Sequence, residues 1–543
     1  MTAAGPGAGS APRGRPGLAV VGGSLLAWAM PGMLPYVGAV LVLPGLMACY
    51  AVLGSPRPIR DSYLFGCAFM AWFSWSVHHV LIAAYAGIVL VGGLYFVLGA
   101  LSLRRVPRGR VLAFAGTVAA IFWLRAVMPE IYYPHGQPAH ALYEWPLVLR
   151  GGIVVGGEPL VNALLAGIAG ALVECWRGWR LGSPAVTVAR RRPMVSAVLA
   201  VAVSLLGWAT RRAPAPMAEI RIAAVEPGLH PEDPYRELPL DQPRRWREKY
   251  LEILEARLLA PTRQVMAEAE PPDLVLWPES ALPFEVVPAE ALAVGKARLP
   301  LPGPWPAVAT RFVVGAAVGR DAKSVPAAIV VEPGSGRVVG HNEKRRLVPG
   351  GEFLPFANFL PEALAGPLRE TFAAALGGAL PDSGRGVRQP LLETAAGRRF
   401  GALICYDNAF PGPAAELVTG GAEFLVVLSN EAWYRGGAEL AQLVAMSVCR
   451  TIETGVPLVR CTTDGWSMAI DRDGRPIAEL TRRPAPTPAA RILRTKLQVG
   501  PAADSPMAWL RPIWGPLAAI WLLLAILHGA FPWARLEVTR TAS

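Results

Sequence analysis

Charged side chains are scarce in this chain: 17% of its 543 residues are Asp, Glu, Lys or Arg, where soluble domains carry about 25%. The deficit excludes an ordinary soluble protein and points to an integral membrane protein. Cysteine is also sparse. The six are Cys49, Cys67, Cys175, Cys405, Cys449 and Cys461, and they form no CxxC pair and no Cys/His spacing of the metal-binding kind. A disulfide framework, a metal and a cofactor are therefore not expected. His78 and His79 have no further ligands at metal spacing and read as interfacial residues. Acidic residues are outnumbered, 40 against 52 Lys and Arg, for a net charge of +12. Such an excess can serve nucleic acid, but no nucleic-acid motif occurs. The arginines fall mainly in short loops between apolar runs, where they act as topology signals. No nucleic-acid partner and no internal repeat are expected.

What the chain has in abundance is hydrophobic residues, 53% of the total, with a mean hydropathy of +0.36. A Gly-, Pro- and Arg-rich tail over 1–16 reads as disordered and cytoplasmic. Apolar runs follow at about 18–31, 35–54, 62–77, 80–103, 111–128, 152–175 and 194–210, and another at 513–531. Several reach the roughly 20 residues needed to cross a bilayer. The first could be a cleaved signal peptide, but the runs directly behind it favour a retained helix. Expected domains are a seven-helix membrane domain over 17–212, an extracytoplasmic domain over 217–500, and a final membrane helix with a cytoplasmic tail over 507–543. If every run spans, Arg13, Arg15, Arg57, Arg60, Arg104, Arg105, Arg108, Arg110, Arg177, Arg180, Arg190 to Arg192, Arg535 and Arg540 share one side. The positive-inside rule makes that side cytoplasmic and leaves 217–500 outside.

The 217–500 stretch alternates short β-type runs (220–225, 273–277, 312–318, 328–332, 400–404, 424–429) with helical patterns at Arg244 to Ala269 and Ala438 to Thr454. The turn signal Glu332-Pro-Gly-Ser-Gly-Arg337 separates two of the strands. This is the pattern of an α/β or α+β domain with its own core. Three of its segments bring an apolar strand to a residue able to do acid, base or nucleophilic work. DLVLWPES carries Glu279, GHNEKRRLVPGGEF carries Lys344 and Glu352, and RRFGALICYDNAFPG carries Cys405. Folding does not require a thiol at Cys405, where Ala or Val would fill the space. A carboxylate base and a nearby cation would help to form its thiolate, and an ammonium with backbone N–H groups would stabilise an oxyanion.

Together these segments resemble the Glu–Lys–Cys triad of the nitrilase, or carbon-nitrogen hydrolase, superfamily. The Lys344-to-Glu352 spacing across LVP, the LSNEAWY run from Leu428 to Tyr434, RCTTDG from Arg460, and the helix Gln442–Met446–Arg450–Glu453 are similar to its membrane branch, the apolipoprotein N-acyltransferases. The resemblance implies a multi-pass α-helical membrane domain plus a nitrilase-like α/β domain, an α-β-β-α sandwich. It also implies Glu279 as base, Lys344 as oxyanion cation, Cys405 as nucleophile and the Tyr406 N–H as second donor. Glu352 would support Lys344, with Asp407, Asn430 and Trp433 as further supporting residues. The implied reaction is a ping-pong acyl transfer through a Cys405 thioester. A phospholipid is the donor and the amine of diacylglyceryl-cysteine on an apolipoprotein is the acceptor, at a bacterial cytoplasmic (inner) membrane. The catalytic domain would face the periplasm, in contact with membrane lipids, in a monomer.

The chain departs from the family pattern at Asp407 (usually Glu), Gly350 (usually aromatic), Glu431 (usually Asp), Val225 to Gly228 and Ser324 to Ile329. These positions bear on substrate preference more than on chemistry. Two other enzymatic readings compete: a membrane-tethered amidase, and a paralogue acylating a different amine. An inactive scaffold conflicts with the intact Glu279, Lys344 and Cys405. Phe353 to Leu360 could be a lipid-contacting lid or an ordinary core segment. Glu158 and Asn162 must face protein or a cavity, and Arg125 with Glu130 suits mutual pairing better than a headgroup contact. Cys449 and Cys461 read as buried and inert.

Overall fold

The computed structural model describes residues 14–530 except 105, 107, 108, 181–185, 213, 230–242, 307, 322, 376–381, 388, 481–488 and 504. Most of the expected N-terminal tail, the final tail, and Arg13, Arg105, Arg108, Arg535 and Arg540 lie outside these residues. Helices stand at each apolar run: α1 (Pro16–Trp28), α2 (Gly38–Leu53), α3 (Pro58–Phe73), α4 (Ile82–Leu103), α5 (Arg110–Val127), α6 (Pro146–Arg180) and α7 (Val186–Thr210). Proline opens α1 and α3, where its missing N–H has no helical partner to lose. Among the described residues, α4, α5, α6 and the window Ala508–Leu527 are long and apolar enough to cross a membrane. In such a medium a helix satisfies its own backbone, so an apolar sequence of this length settles as one. The run expected at 152–175 extends to 35 residues, with a break at Gly157 (φ 65°, ψ −167°) just before Pro159.

The second part is built on two sheets. The first has the order β13-β1-β2-β4-β5-β6, where β1 is Ala218–Glu226, β2 Leu274–Trp277, β4 Arg311–Arg320, β5 Lys323–Glu332, β6 Arg337–Glu343 and β13 Arg491–Val499; β3 (Val286–Pro288) pairs with β4. The second has the order β12-β11-β10-β9-β8-β7, where β7 is Leu392–Glu393, β8 Arg399–Ile404, β9 Phe424–Ser429, β10 Leu458–Thr462, β11 Met468–Ile470 and β12 Pro476–Glu479. The central strands β2, β8, β9 and β10 are parallel to their inner neighbours, and β2 and the Phe424-to-Leu428 part of β9 read as unbroken apolar runs, because both faces are covered. The antiparallel edge strand β13 alternates buried and exposed residues. Ile222, Leu276 and Val330 of the first sheet meet Ala402, Val426 and Val459 of the second in one core.

Helices cover both outer faces. On the first sheet α8 (Pro243–Leu254) continues through a π turn, Glu255–Leu259, into α9 (Ala260–Met266), a shorter and less regular path than the single helix expected to Ala269. On the second lie α10 (Pro411–Thr419) and α11 (Glu439–Thr454). The result is the α-β-β-α sandwich. All 16 residues of α11 are buried, because its outer side packs on α6 of the helical part. A last helix, α12 (Arg511–Ala530), returns to the helical part beside α5.

That junction also buries polar pairs among its apolar contacts. Glu158, just past the break in α6, accepts from Arg450 of α11 at 2.7 Å and pairs with His140 at 3.1 Å. Asn162 accepts from the Ala139 N–H at 2.9 Å and donates to Gln137 at 2.8 Å. Arg150 and Arg211 both reach Asp473, at 3.0 and 3.4 Å. Gln442 of α11 donates to the Phe73 carbonyl at 2.9 Å and meets His135 at 3.1 Å. Glu158 and Asn162 thus face protein.

Candidate active site

Parallel strands end together, so residues just past their carboxyl ends converge. Ile404 of β8 lies beside Leu428 of β9, and Trp277 of β2 beside Val314 of β4. Glu279 follows β2, Lys344 follows β6, Cys405 follows β8 and Asn430 follows β9. The Lys344 ammonium donates to Glu279 Oε1 at 2.7 Å and to Glu352 Oε1 at 2.8 Å. The second Glu279 oxygen accepts the Asn430 backbone N–H at 3.0 Å, and the second Glu352 oxygen accepts the Val348 N–H at 2.8 Å. Cys405 is half-buried beside them, with the Ser429 hydroxyl as a hydrogen-bond partner.

Electrostatics at this centre follow from burial. Burial pushes the Cys405 thiol up from its ordinary value, Glu279 pushes it the same way, Lys344 opposes, and Glu352 adds to the rise. Burial thus works against the thiolate, which fits the expectation that a carboxylate base and a nearby cation help to form it. Burial alone would push Lys344 down, but Cys405, Glu279 and Glu352 hold its pKa well above the ordinary value, so it stays an ammonium. Burial also raises Glu352, against the pull of Lys344.

The backbone is bent to present these groups. Cys405 has φ 49°, Ser280, which follows Glu279, has φ 54°, and Phe356, four residues after Glu352, has φ 62°. Each such non-glycine residue costs about 1–3 kcal/mol and persists only where its surroundings enforce it. Gly315 on β4 is one enforcing element. A Cβ there would lie 1.9 Å from the Pro278 carbonyl oxygen and 2.7 Å from the Glu279 Cα. Gly386 is another: its N–H donates to the Lys344 carbonyl at 2.7 Å, and a Cβ would meet that oxygen at 2.7 Å.

The supporting residues divide by what they touch. Asp407 is fully buried and accepts from the backbone N–H groups of Arg346 (2.8 Å), Arg345 (3.1 Å) and Ile404 (3.3 Å), and from Gln389 at 3.2 Å. It ties the residues after Lys344 to the residue before Cys405. Burial pushes its carboxyl up to about 7, against those donors. Tyr406 is buried in an aromatic cluster with Tyr132 and Phe410. Trp433 is half-buried on the turn Ala432–Tyr434. Glu431, in the altered NxAW run, pairs with the buried Arg460 and accepts the Trp466 N–H at 3.2 Å.

Sequence reasoning missed Ser429, Gly315, Gly386 and Gln389. Their signal is a position opposite a strand end, which needs the strand order. Arg125 and Glu130 do not pair: Arg125 donates to the His135 carbonyl, and Glu130 accepts the Phe356 N–H at 3.2 Å. The Phe353-to-Leu360 run divides. Phe353, Leu354 and Ala357 turn inward, while Phe356 and Phe359 are 44% and 77% exposed. Cys449 and Cys461 are both fully buried.

A cavity of about 300 Å³ runs from α4 to the active-site loop. Leu81, Ile88 and Val91 line one side and Val348 to Gly351 the other, with Tyr132 and Tyr406 between. Among the described residues its lining is mainly apolar and includes no acid, so a hydrocarbon chain could lie along it from the helices to the Val348-to-Gly351 loop.

The carbon-nitrogen hydrolase family model matches residues 243–497. Among curated proteins, the chain is 27% identical over 509 residues to the apolipoprotein N-acyltransferase of Caulobacter vibrioides, covering 85% of each chain. It is 32% identical over 242 residues to the apolipoprotein N-acyltransferase of Geobacter metallireducens. That second alignment covers 43% of this chain and spans less than half, 42%, of the relative. Among solved structures, Saccharomyces cerevisiae Nit3, a member of branch 10 of the nitrilase superfamily, matches at 15% identity with a TM-score of 0.34. The match covers 53% of this chain and 93% of that one.

Proposed function

Since this chain belongs to the carbon-nitrogen hydrolase superfamily, among the apolipoprotein N-acyltransferases, we propose that it moves a fatty acyl chain from a phospholipid to the terminal amine of diacylglyceryl-cysteine on a lipoprotein. The observation that carries this reading is Lys344 clamped between Glu279 and Glu352 beside Cys405, while Tyr406, next to Cys405, and the Val348-to-Gly351 loop line an apolar cavity that starts among the helices. Cys405 Sγ attacks the donor's ester carbonyl while Glu279 takes the thiol proton. The Lys344 ammonium and the Tyr406 backbone N–H receive the developing oxyanion. The ester C–O bond breaks, Glu279 returns its proton to the leaving lysophospholipid oxygen, and a thioester remains. The lipoprotein amine then attacks that thioester, Glu279 accepts the amine proton, and the sulfur leaves as a thiol. Glu352 holds Lys344 from the far side so that the ammonium does not follow Glu279 alone.

The bacterial relatives favour an inner-membrane location, the distribution of arginines favours the sandwich lying on the periplasmic side, and a single chain contains every group the reaction needs. In the test, wild-type and Cys405→Ser proteins are incubated with acyl-labelled phospholipid. Wild type gains a hydroxylamine-sensitive adduct that diacylated lipopeptide discharges, and the variant gains none. Absence of the adduct on wild type sinks the thioester route. An adduct that water or a small amine discharges but the lipopeptide does not would favour the amidase reading.

A further inference from the structure

Arg125, in the last turn of α5, is only 1% exposed. Among the described residues no carboxylate pairs with it. One N–H goes to the His135 carbonyl and another to the Met70 sulfur at 3.2 Å, while Nε has no partner. Phe122, Phe73 and Phe69 stand with ring centres 4.9, 5.6 and 5.7 Å from the guanidinium carbon. Ring faces and one carbonyl offset only part of the cost of taking a cation out of water, and an ionised side chain at this depth is normally matched by an opposite charge.

Arg125 also lines the cavity that reaches the catalytic loop. The His135 ring, whose backbone carbonyl it holds, stacks on Tyr406 with centroids 5.8 Å apart, and Tyr406 follows the nucleophile. A buried cation with a free donor therefore shares one chamber with the edge of the acylation site. We infer that Arg125 is the anchor for the phosphodiester of the donor lipid and holds the glycerol so that an ester carbonyl faces Cys405. This rests on the phospholipid-donor reading above. A planar guanidinium suits two oxygens of a phosphodiester better than a point charge does, and in a glycerophospholipid only the glycerol carbons separate the phosphate from the ester carbonyls. The Phe cage behind the guanidinium fixes its plane before the lipid arrives.

The test uses the full-length enzyme in vesicles and compares Cys405 acylation from phosphatidylglycerol and from diacylglycerol, which carries the same esters without a phosphate. Wild type should prefer the phospholipid by at least about 10-fold in acylation efficiency, and Arg125→Gln should bring the ratio near unity. Arg125→Lys should retain an intermediate ratio, and it serves as the readout if the Gln variant does not fold. Deacylated headgroup, glycerophosphoglycerol, should slow wild-type acylation from phosphatidylglycerol, whereas equimolar inorganic phosphate should do so less. A wild type that does not distinguish the two donors, or variants that slow both in proportion, would overturn the assignment and leave the acyltransferase reading intact. No adduct from either donor on wild type would remove both.

Discussion

Gly315→Ala changes no side chain of the proposed triad, yet it should disable the site. The new Cβ would sit 1.9 Å from the Pro278 carbonyl oxygen and 2.7 Å from the Glu279 Cα, whereas real Cβ contacts essentially never fall below 3.0 Å. Both obstacles are backbone, so the Pro278–Glu279 segment must retreat by about 1 Å or more, and a misplacement of that size costs about 100-fold in rate. The same retreat would stretch the 2.7 Å Lys344–Glu279 bond to about 3.8 Å, beyond hydrogen bonding. Overpacking should cost about 1–3 kcal/mol of stability, small enough for the variant to fold. Gly319→Ala is the matched control on the same strand, because its Cβ would meet only the side-chain tip of Val286 at 3.0 Å. The assay is the rate of Cys405 acylation from labelled phospholipid, normalised to folded protein by thermal unfolding. Acylation of Gly315→Ala within about threefold of wild type would refute the account of how Glu279 is placed.

Two further outcomes follow from buried charge. Asp407 has its carboxyl raised to about 7 in the fold from an ordinary 3.8, so the folded state holds a proton that the unfolded chain releases. Its contribution to stability is full below about pH 4 and is lost as pH rises towards about 7, on the order of 4 kcal/mol in all. Asp407→Asn should flatten that part of the profile of melting temperature against pH, and an unchanged slope would count against the assignment. Glu158→Gln leaves the fully buried Arg450 with Glu453 as its one remaining carboxylate among the described residues and should lower stability by about 3 kcal/mol. The unfolding midpoint in denaturant checks this, and an unchanged midpoint would mean that the α6–α11 contact does not depend on the pair.

The parts legible in the sequence are those with a local period or a local motif. Apolar runs announce helices, Phe424 to Ser429 announces a buried strand, and the hairpin turn at Glu332 to Arg337 joins β5 to β6 as its Pro and Gly residues suggest. Glu279 and Cys405 could be picked out because each follows an apolar strand, and Lys344 by its spacing to Glu352 across LVP. What lies between them was not legible. The Glu279–Asn430 contact joins residues 151 apart, and Arg450–Glu158 joins residues 292 apart, so both depend on strand order and helix docking rather than on neighbours in the chain. The shortened helix ending at Met266 reflects packing, which overrides the local period, whereas the break in α6 follows from Gly157 and Pro159. Arg125 is the clearest misreading: Glu130 lies five positions away, but Phe356 claims its carboxylate.

The buried junction between α6 and α11 makes the molecule a ruler. With Glu158 gripped by Arg450, and with Arg150 and Arg211 both on Asp473, the sandwich has little freedom to ride up or down on the helices. In the membrane reading, the sulfur of Cys405 then stands at one set height above the hydrocarbon edge. Selection becomes partly a matter of depth. An ester held a fixed distance from its headgroup arrives level with the sulfur, as does an amine carried just above two buried acyl chains. A soluble amide, or an amine on a longer tether, has nothing to hold it at that level. Lengthening the link between diacylglycerol and amine should therefore weaken acceptance even when the amine itself is unchanged.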